Sequence, residues 1–264
     1  MPNSIFSRDG NRFVPSDLAR GPWSPQAQHG GAPAALLATL SERFEDGEAM
    51  FVSRLTIELL RPVPIGPLAV RSRMARPGRK VQLVETSLIH ADTEVARCVA
   101  LRIRRAELSL PANLPSVAPP PGPAGGIDRQ PPWSAQVSYV AFHNSGVEHR
   151  FVSGSFDQPG PATDWIRLRV PLIEGEETSP LSRVAAAADF GNGISWVLNR
   201  NDGYSFINPD LTIYVHRHPT GEWVCLDAQT FVQPHGVGLA ESMIFDQQGP
   251  IGRAAQSLLI EQGA

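Results

Sequence analysis

The sequence contains few cysteines and no long apolar run. Its two cysteines, Cys98 and Cys225, each lie in an apolar, strand-like segment of the 264 residues. Such cysteines are typical of a reduced protein core, although one disulfide between them is also compatible with the sequence. No stretch approaches the roughly 18 apolar residues of a membrane span, and the first residues include no apolar signal segment. We therefore expect a cytoplasmic protein without membrane association.

Positive charge is also scarce. The 23 Lys and Arg residues are outnumbered by 26 Asp and Glu, which gives a net charge of -3, and Lys80 is the only lysine. Because no basic block or aromatic-basic stretch occurs, nucleic-acid binding is disfavoured. The sequence also lacks a phosphate loop and a dinucleotide fingerprint, so ATP and NAD are not implied.

Two segments of small residues predict helices that can lie close to a sheet. The first lies within the segment from Gln28 to Phe44. Two glycines precede the predicted helix, which tolerates Pro33 in its first turn. The second begins at Leu181 and carries four consecutive alanines before Asp189. A carboxylate in such an apolar setting must be hydrogen-bonded, paired or functional. A turn aspartate beside a glycine pair is an equally acceptable interpretation of Asp189.

Strand-like segments surround both helices, and a Pro- and Gly-rich stretch separates the two sets. We predict strands at 12–15, 51–60, 68–74, 81–90 and 95–103, and again at 135–143, 149–155, 165–170, 211–216, 223–232, 239–245 and 253–260. Residues 111–132 cannot pack a core and are interpreted as a linker. The predicted modules are therefore 1–110 and 133–264.

The two modules repeat one another. Leu55-Thr56-Ile57 recurs as Leu211-Thr212-Ile213, 156 residues later, and the order of helix and strands is the same in both halves. Each half has a helix of small residues around which an antiparallel sheet can wrap. We therefore predict an α+β fold, a double hotdog of two tandem hotdog repeats, each with its sheet wrapped around a central helix.

At this level the sequence resembles the acyl-CoA thioesterase II family, the double-hotdog thioesterases. The resemblance covers nearly the whole chain and depends on five motifs in order: Gln28-His29-Gly30-Gly31, Asp164-Trp165-Ile166-Arg167, Ala187-Ala188-Asp189, the segment from Pro209 to Arg217, and Gly252-Arg253-Ala254-Ala255-Gln256. In that family an Asp, a Thr or Ser, and a Gln position a water for attack on the thioester carbonyl.

The resemblance implies three catalytic positions. Asp189 and Gln256 match the family's Asp and Gln, whereas Asn208 stands where the family has Thr or Ser. An amide can hold a water but cannot replace a hydroxyl unchanged, so the mechanism must differ in detail. Val99 and Pro33 occupy the repeat positions of Gln256 and Asp189, which predicts one active site per chain.

Five further residues are candidates for substrate binding. The backbone of His29, Gly30 and Gly31 at the start of the first helix suits an oxyanion, and Gly191 follows Asp189 directly. Arg61 is a candidate for contact with the phosphates of coenzyme A, although exposed arginines are more often solvated or ion-paired. A histidine in the position of His29 more often forms a hydrogen bond at the start of a helix than acts as a base.

No metal site is predicted, because the two histidines of the His216-Arg217-His218 segment have no third ligand at a fitting spacing. The sequence also lacks Gly-x-Ser-x-Gly, and neither cysteine has a neighbouring histidine, so no covalent nucleophile is implied.

The resulting hypothesis is an acyl-CoA thioesterase that uses an activated water on a fatty or aryl acyl-CoA. It needs no cofactor, since coenzyme A is part of the substrate, and we expect a homodimer of double hotdogs. The first alternative is a hotdog enoyl-CoA hydratase or dehydratase, which the missing Pro and His after Asp189 disfavour. The second is a non-catalytic acyl-CoA-binding protein. Acyl-chain length and pathway, whether lipid metabolism, aromatic degradation or polyketide editing, stay open.

Overall fold

The structure is a computed structural model that describes residues 2–44, 50–129 and 139–263. The first half contains β1 (Phe6–Asp9), β2 (Arg12–Pro15), α1 (Gly31–Glu42), β3 (Met50–Glu58), β4 (Leu68–Arg76), β5 (Val81–His90) and β6 (Thr93–Arg104). The second half contains β7 (Ile127–Asp128), β8 (Val147–Ser153), β9 (Ala162–Leu168), α2 (Pro180–Ala188), α3 (Gly191–Ser195), β10 (Tyr204–Ile207), β11 (Asp210–Val215), β12 (Val224–Val232), β13 (Val237–Asp246) and β14 (Gly249–Gln262).

The strands of both halves join into one antiparallel sheet. Its order is β1-β2-β4-β5-β6-β3-β11-β14-β13-β12-β9-β8-β7, and β10 pairs with β14. The order β4-β5-β6-β3 is repeated in mirror sense by β11-β14-β13-β12, so each half contributes an equivalent set of strands. The two halves of this sheet wrap around the two central helices, α1 and α2. The predicted double hotdog is therefore confirmed.

The two halves meet at the residues that define the repeat. Strand β3 pairs with β11, and Thr56 lies directly opposite Thr212. In an antiparallel pair this places the pseudo-two-fold axis between the two threonines. The register also corrects the predicted equivalence of Val99 and Gln256. Thr56 pairs with Val99 and Thr212 with Ala255, so the residue equivalent to Gln256 is Ala100.

The helices α1 and α2 run antiparallel to each other inside the wrapped sheet. Near the start of α1, Gly31 approaches the carbonyl oxygen of Ala186, and near its end the hydroxyl of Thr39 lies 2.6 Å from that of Ser182. Small residues make this distance possible, because a larger side chain would separate the two backbones. Asp189 ends α2 while Pro33 lies in the first turn of α1, so these two positions are not equivalent as predicted.

Most predicted strands are present, with ends that differ by a few residues. Of the strand predicted at 135–143, residues 135–138 lie outside the described part, and Phe142 begins a π-helical turn, so that end of the prediction is wrong. Strands β1, β7 and β10 were not predicted. Cys98 and Cys225 are both buried and free. Within the described residues no helix has the length and apolar character to cross a membrane.

Candidate active site

Asp189 lies where the end of α2 meets the beginning of α1. It is the C-terminal cap of α2, and its side chain is only 5% exposed. The alanines before it let α2 end against the first turn of α1, whose amide groups carry a partial positive charge. The carboxylate therefore occupies the place at the start of α1 where we expected a substrate oxyanion.

Four donors surround this carboxylate. The Nδ2 of Asn208 lies 2.8 Å and the Nε2 of Gln256 3.2 Å from Oδ1, while the Nδ1 of His29 lies 2.9 Å from Oδ2. The backbone N–H of Gly31 is shared between Asp189 and the Nδ1 of His29, from which it lies 3.1 Å away. Burial raises the pKa of Asp189, but the hydrogen bonds and charge of His29, with those of Asn208 and Gly31, outweigh it and hold the pKa below its usual value.

The sheet of the second half supplies the two amides. Gln256 lies on β14 and is 2% exposed, so it points into the core instead of into solvent. It also donates to the backbone oxygen of Asp189 at 3.2 Å, which ties the end of α2 to the sheet. Asn208 lies between β10 and β11, just before Pro209. The structure thus brings Asp189, Asn208 and Gln256 together.

Glycines are required beside this centre by lack of space. A Cβ on Gly30 would lie 2.7 and 2.8 Å from the two carboxylate oxygens of Asp189, and one on Gly31 would lie 2.7 Å from the oxygen of Ala186. Gly191 is crowded less severely, since its Cβ would meet Oε1 of Gln256 at 3.1 Å. The glycines of the His-Gly-Gly motif therefore permit close contact between the two helix ends.

His29 is held by aromatic rings as well as by Asp189. The centroid of its ring lies 4.5 Å from that of Phe190 and 5.2 Å from that of Phe142. Behind Phe190, the buried His149 bonds to Asp164 at 2.5 Å, and its ring meets Phe190 edge-on at 4.8 Å. Asp164, from one of the family motifs, therefore supports the aromatic wall next to His29.

A cavity of about 500 Å³ opens beside these residues. His29, Gly30, Asp189, Asn208 and Gln256 form its inner end. Its walls are rich in aromatic side chains, namely Trp23, Phe156, Phe190, Trp196 and Phe206. Trp196 donates its Nε1–H to the backbone oxygen of Phe156 at 3.0 Å, so the remaining surface of the indole is apolar. Among the described lining residues there is no Ser, Thr or Cys.

Sequence reasoning missed most of this wall. Trp23, from the segment before α1, is 57% exposed and lines the cavity. Trp196, Phe156 and Phe206 come from three separate loops and strands, and no spacing in the sequence relates them. The sequence offers one signal for this wall, Trp196, which follows the Asp189 helix closely and is half-buried.

Arg61 and the arginine at the same repeat position, Arg217, do not line the cavity. Arg61 is exposed in the turn after β3 and does not line the cavity. Arg217 is engaged with Asp246 through two nitrogens, and these bonds raise the pKa of the Arg217 guanidinium. No group of three His, Cys, Asp or Glu residues in the described ranges could hold a metal ion.

Comparisons with known proteins agree over almost the whole chain. Residues 19–103 match the sequence model of the acyl-CoA thioesterase N-terminal domain, and residues 111–260 that of the acyl-CoA thioesterase C-terminal domain. A search of curated protein sequences gave no significant match.

Solved structures support the same fold. The acyl-CoA thioesterase II TesB2 from Mycobacterium marinum is 17% identical, with a TM-score of 0.68 over 96% of this chain and 94% of that one. The TesB protein from Mycobacterium avium subspecies paratuberculosis is 16% identical, with a TM-score of 0.67 over 97% and 96%. A hot dog fold protein from Alicyclobacillus acidocaldarius is 16% identical, with a TM-score of 0.70 over 99% and 97%.

Proposed function

Because this chain belongs to the acyl-CoA thioesterase family, we propose that it hydrolyses acyl-CoA thioesters in the cavity beside Asp189, with water as the nucleophile. The observation that carries this proposal is the convergence of Asp189, Asn208, Gln256 and His29 at the inner end of an aromatic-walled cavity. Such a site offers proton transfer, amide donors and an apolar slot at one place.

Water is the nucleophile that fits this cavity. The described lining residues include no hydroxyl or thiol side chain, and burial raises the pKa of the Cys98 thiol to about 12, where it is inert. The oxygens of Asp189 are occupied by hydrogen bonds. A water held by the polar groups around Asp189 therefore attacks the thioester carbonyl.

Asn208 has a role that a Thr or Ser would fill differently. One hydrogen of its Nδ2 points to Asp189, and the second is free to donate to the oxyanion that develops on the carbonyl. Gln256 uses both Nε2 hydrogens on Asp189, one on Oδ1 and one on the backbone oxygen. Gln256 thus holds the carboxylate, and Asn208 serves both the carboxylate and the substrate.

The acyl group lies against the aromatic wall in this proposal, and coenzyme A extends from the cavity mouth. Trp196 and Phe206 present flat apolar surfaces that suit an aryl or branched acyl group as well as a short fatty chain. Arg61 is exposed and free to meet the phosphates of coenzyme A outside the cavity. This role stays a prediction, and the reaction requires no further cofactor.

Release of free coenzyme A thiol from a panel of short, long and aryl acyl-CoAs tests the proposal. We expect turnover of at least one class by the wild type, a loss of about 100-fold in Asn208→Ala, and a smaller loss in Asn208→Thr, whose hydroxyl restores one donor. No release from any thioester by folded protein would overturn the proposal. Saturable binding of acyl-CoA without release would then indicate the acyl-CoA-binding alternative, and addition of water to an enoyl-CoA the hydratase alternative.

We also propose that the protein acts in the cytoplasm as a homodimer of double hotdogs, in lipid or related acyl metabolism. Two buried free cysteines are typical of a reducing compartment. The outer face of the sheet exposes neighbouring apolar residues, with Phe231 opposite Leu239 and Val237 opposite Leu259. A surface of this kind suits a second copy of the chain. Light scattering that gives a monomer mass at micromolar concentration would contradict the dimer.

A further inference from the structure

The hydrogen bonds of Asp189 make it a poor acceptor of a proton from water. Asn208 and Gln256 both donate to Oδ1, and His29 and Gly31 both serve the rest of the carboxylate. A carboxylate stabilised by four donors keeps its negative charge but has little basicity left. A base for water must also present a free lone pair to the cavity, and both oxygens of Asp189 already face donors.

His29 offers the lone pair that Asp189 lacks. Its Nδ1 lies within hydrogen-bond distance of both Asp189 and the N–H of Gly31, and it cannot donate to the one while accepting from the other. Because the carboxylate is ionised, the proton belongs on Nδ1 and points to Asp189. In the neutral ring Nε2 is then the acceptor. Within the described residues Nε2 has no hydrogen-bond partner, and His29 lines the cavity.

The ring is also fixed in one orientation. Phe190 and Phe142 flank the ring, and the contact with Asp189 fixes its Nδ1 edge. The backbone N–H of His29 donates to the backbone oxygen of Ala19 at 2.9 Å, which holds the main chain in place. A carboxylate that orients a histidine and selects its tautomer is the arrangement by which many enzymes make imidazole a base.

We propose that His29 is the general base of thioester hydrolysis and that Asp189 positions it. The inference rests on the proposed function, which it deepens. The Nε2 of His29 takes a proton from the attacking water as the new C–O bond forms. When the tetrahedral intermediate collapses, the C–S bond breaks, and the same proton goes to the departing sulfur. The products are the carboxylic acid and coenzyme A thiol, and His29 returns to its neutral form.

Other titratable groups near His29 must be considered in any pH profile. Asp189 faces the Nδ1 of His29, and Asp157 lines the same cavity. The ring centroid of His143, in the π-helical turn, lies 6.4 Å from that of His29. The His149–Asp164 pair lies behind Phe190. Burial beside His29 and His149 lowers the pKa of His143 to about 3, so His143 stays neutral where imidazoles ordinarily titrate.

His29→Asn tests the proposal, because its amide can still donate to Asp189 from near the position of Nδ1 but offers no base at Nε2. We expect kcat to fall by about 100- to 10,000-fold with KM changed by less than about threefold. The acid limb of the wild-type pH–rate profile should disappear in the variant.

His29→Ala with added imidazole provides the second readout. The variant leaves a ring-sized space between Phe190 and Phe142, and imidazole bound there should restore activity in proportion to its occupancy. A histidine with a structural role alone would give no such rescue. If the wild type is active and His29→Asn retains kcat within about threefold with an unchanged pH profile, the inference is wrong while the proposed function stands. If the wild type itself releases no thiol, both are wrong.

Discussion

The two ends of the helix pair are built alike and differ in what surrounds their carboxylates. At one end α2 finishes with Asp189 against the start of α1. At the other, α1 finishes with Glu42 against the start of α2. Glu42 accepts from the hydroxyl of Ser179, which caps α2 by accepting from the N–H of Ser182. Each carboxylate thus lies where one helix ends against the start of the other.

The partners of each carboxylate account for the difference. Asp189 is bonded by amides and a histidine that leave a cavity in front of it, and its pKa lies below the usual value. Glu42 accepts a hydrogen bond from Ser179, whose hydroxyl begins a hydrogen-bonded chain through those of Ser182 and Thr39. Burial raises the pKa of Glu42 against the opposing effects of Ser179, Arg43 and Arg105. In the proposed function, one helix end serves substrate and the other serves helix capping.

Matched substitutions at the two carboxylates should give the largest contrast. Asp189→Asn removes the charge that holds the proton on Nδ1 of His29, so we expect kcat to fall by about 100- to 10,000-fold. Glu42→Gln keeps the shape of its side chain and lies outside the site, so activity should stay within about twofold. Thiol release by both variants, with circular dichroism to verify folding, measures this. Equal losses in the two would show that the comparison is wrong.

The glycines before α1 allow a second, smaller test. Gly30→Ala places a Cβ less than 3 Å from both oxygens of Asp189, so the carboxylate must move and carry His29 with it. A displacement of this size costs about 10- to 100-fold in rate. Gly125→Ala is the control, since a Cβ there meets nothing within 4 Å and the residue does not line the cavity. If Gly30→Ala is as active as the control, close contact at this helix end is unnecessary for catalysis.

The sequence could predict the fold because the repeat, the small-residue helices and the alternation of the strands all indicate the same arrangement. It could also bring Asp189, Asn208 and Gln256 into one site through the family resemblance. It could not give the role proposed for His29, because the contact with Asp189 joins residues 160 positions apart in different halves. Spacing along a chain contains no information about such a contact.

The equivalence of positions within the repeat was predicted less well. A constant offset of 156 holds across β3 and β11 but fails in the helices, since α1 has 12 residues and α2 has nine. Pro33 and Asp189 were therefore matched wrongly, while Glu42, the carboxylate at the end of α1, was overlooked. A short polar residue at a helix end is ordinary in sequence, and only the packing of α1 on α2 distinguishes Glu42.

The smallest expected effect is a difference between the two helix ends in how the free energy of unfolding depends on pH. His143, beside the site, has a folded pKa of about 3, below the ordinary 6.5, so its stabilising contribution is complete above pH 6.5 and is lost as pH falls toward 3. Glu42 has a raised folded pKa, so its contribution is present at acid pH and is lost as pH rises through that pKa. His143→Asn should therefore reduce the acid slope of the unfolding free energy, by at most about 1.4 kcal/mol per pH unit. Glu42→Gln should instead remove the decline in stability that begins as pH rises above the ordinary glutamate pKa of 4.5. Urea titrations between pH 4 and pH 8 give the free energy of unfolding of both variants and the wild type. If its dependence on pH is the same in His143→Asn and wild type, the burial of a neutral His143 is contradicted.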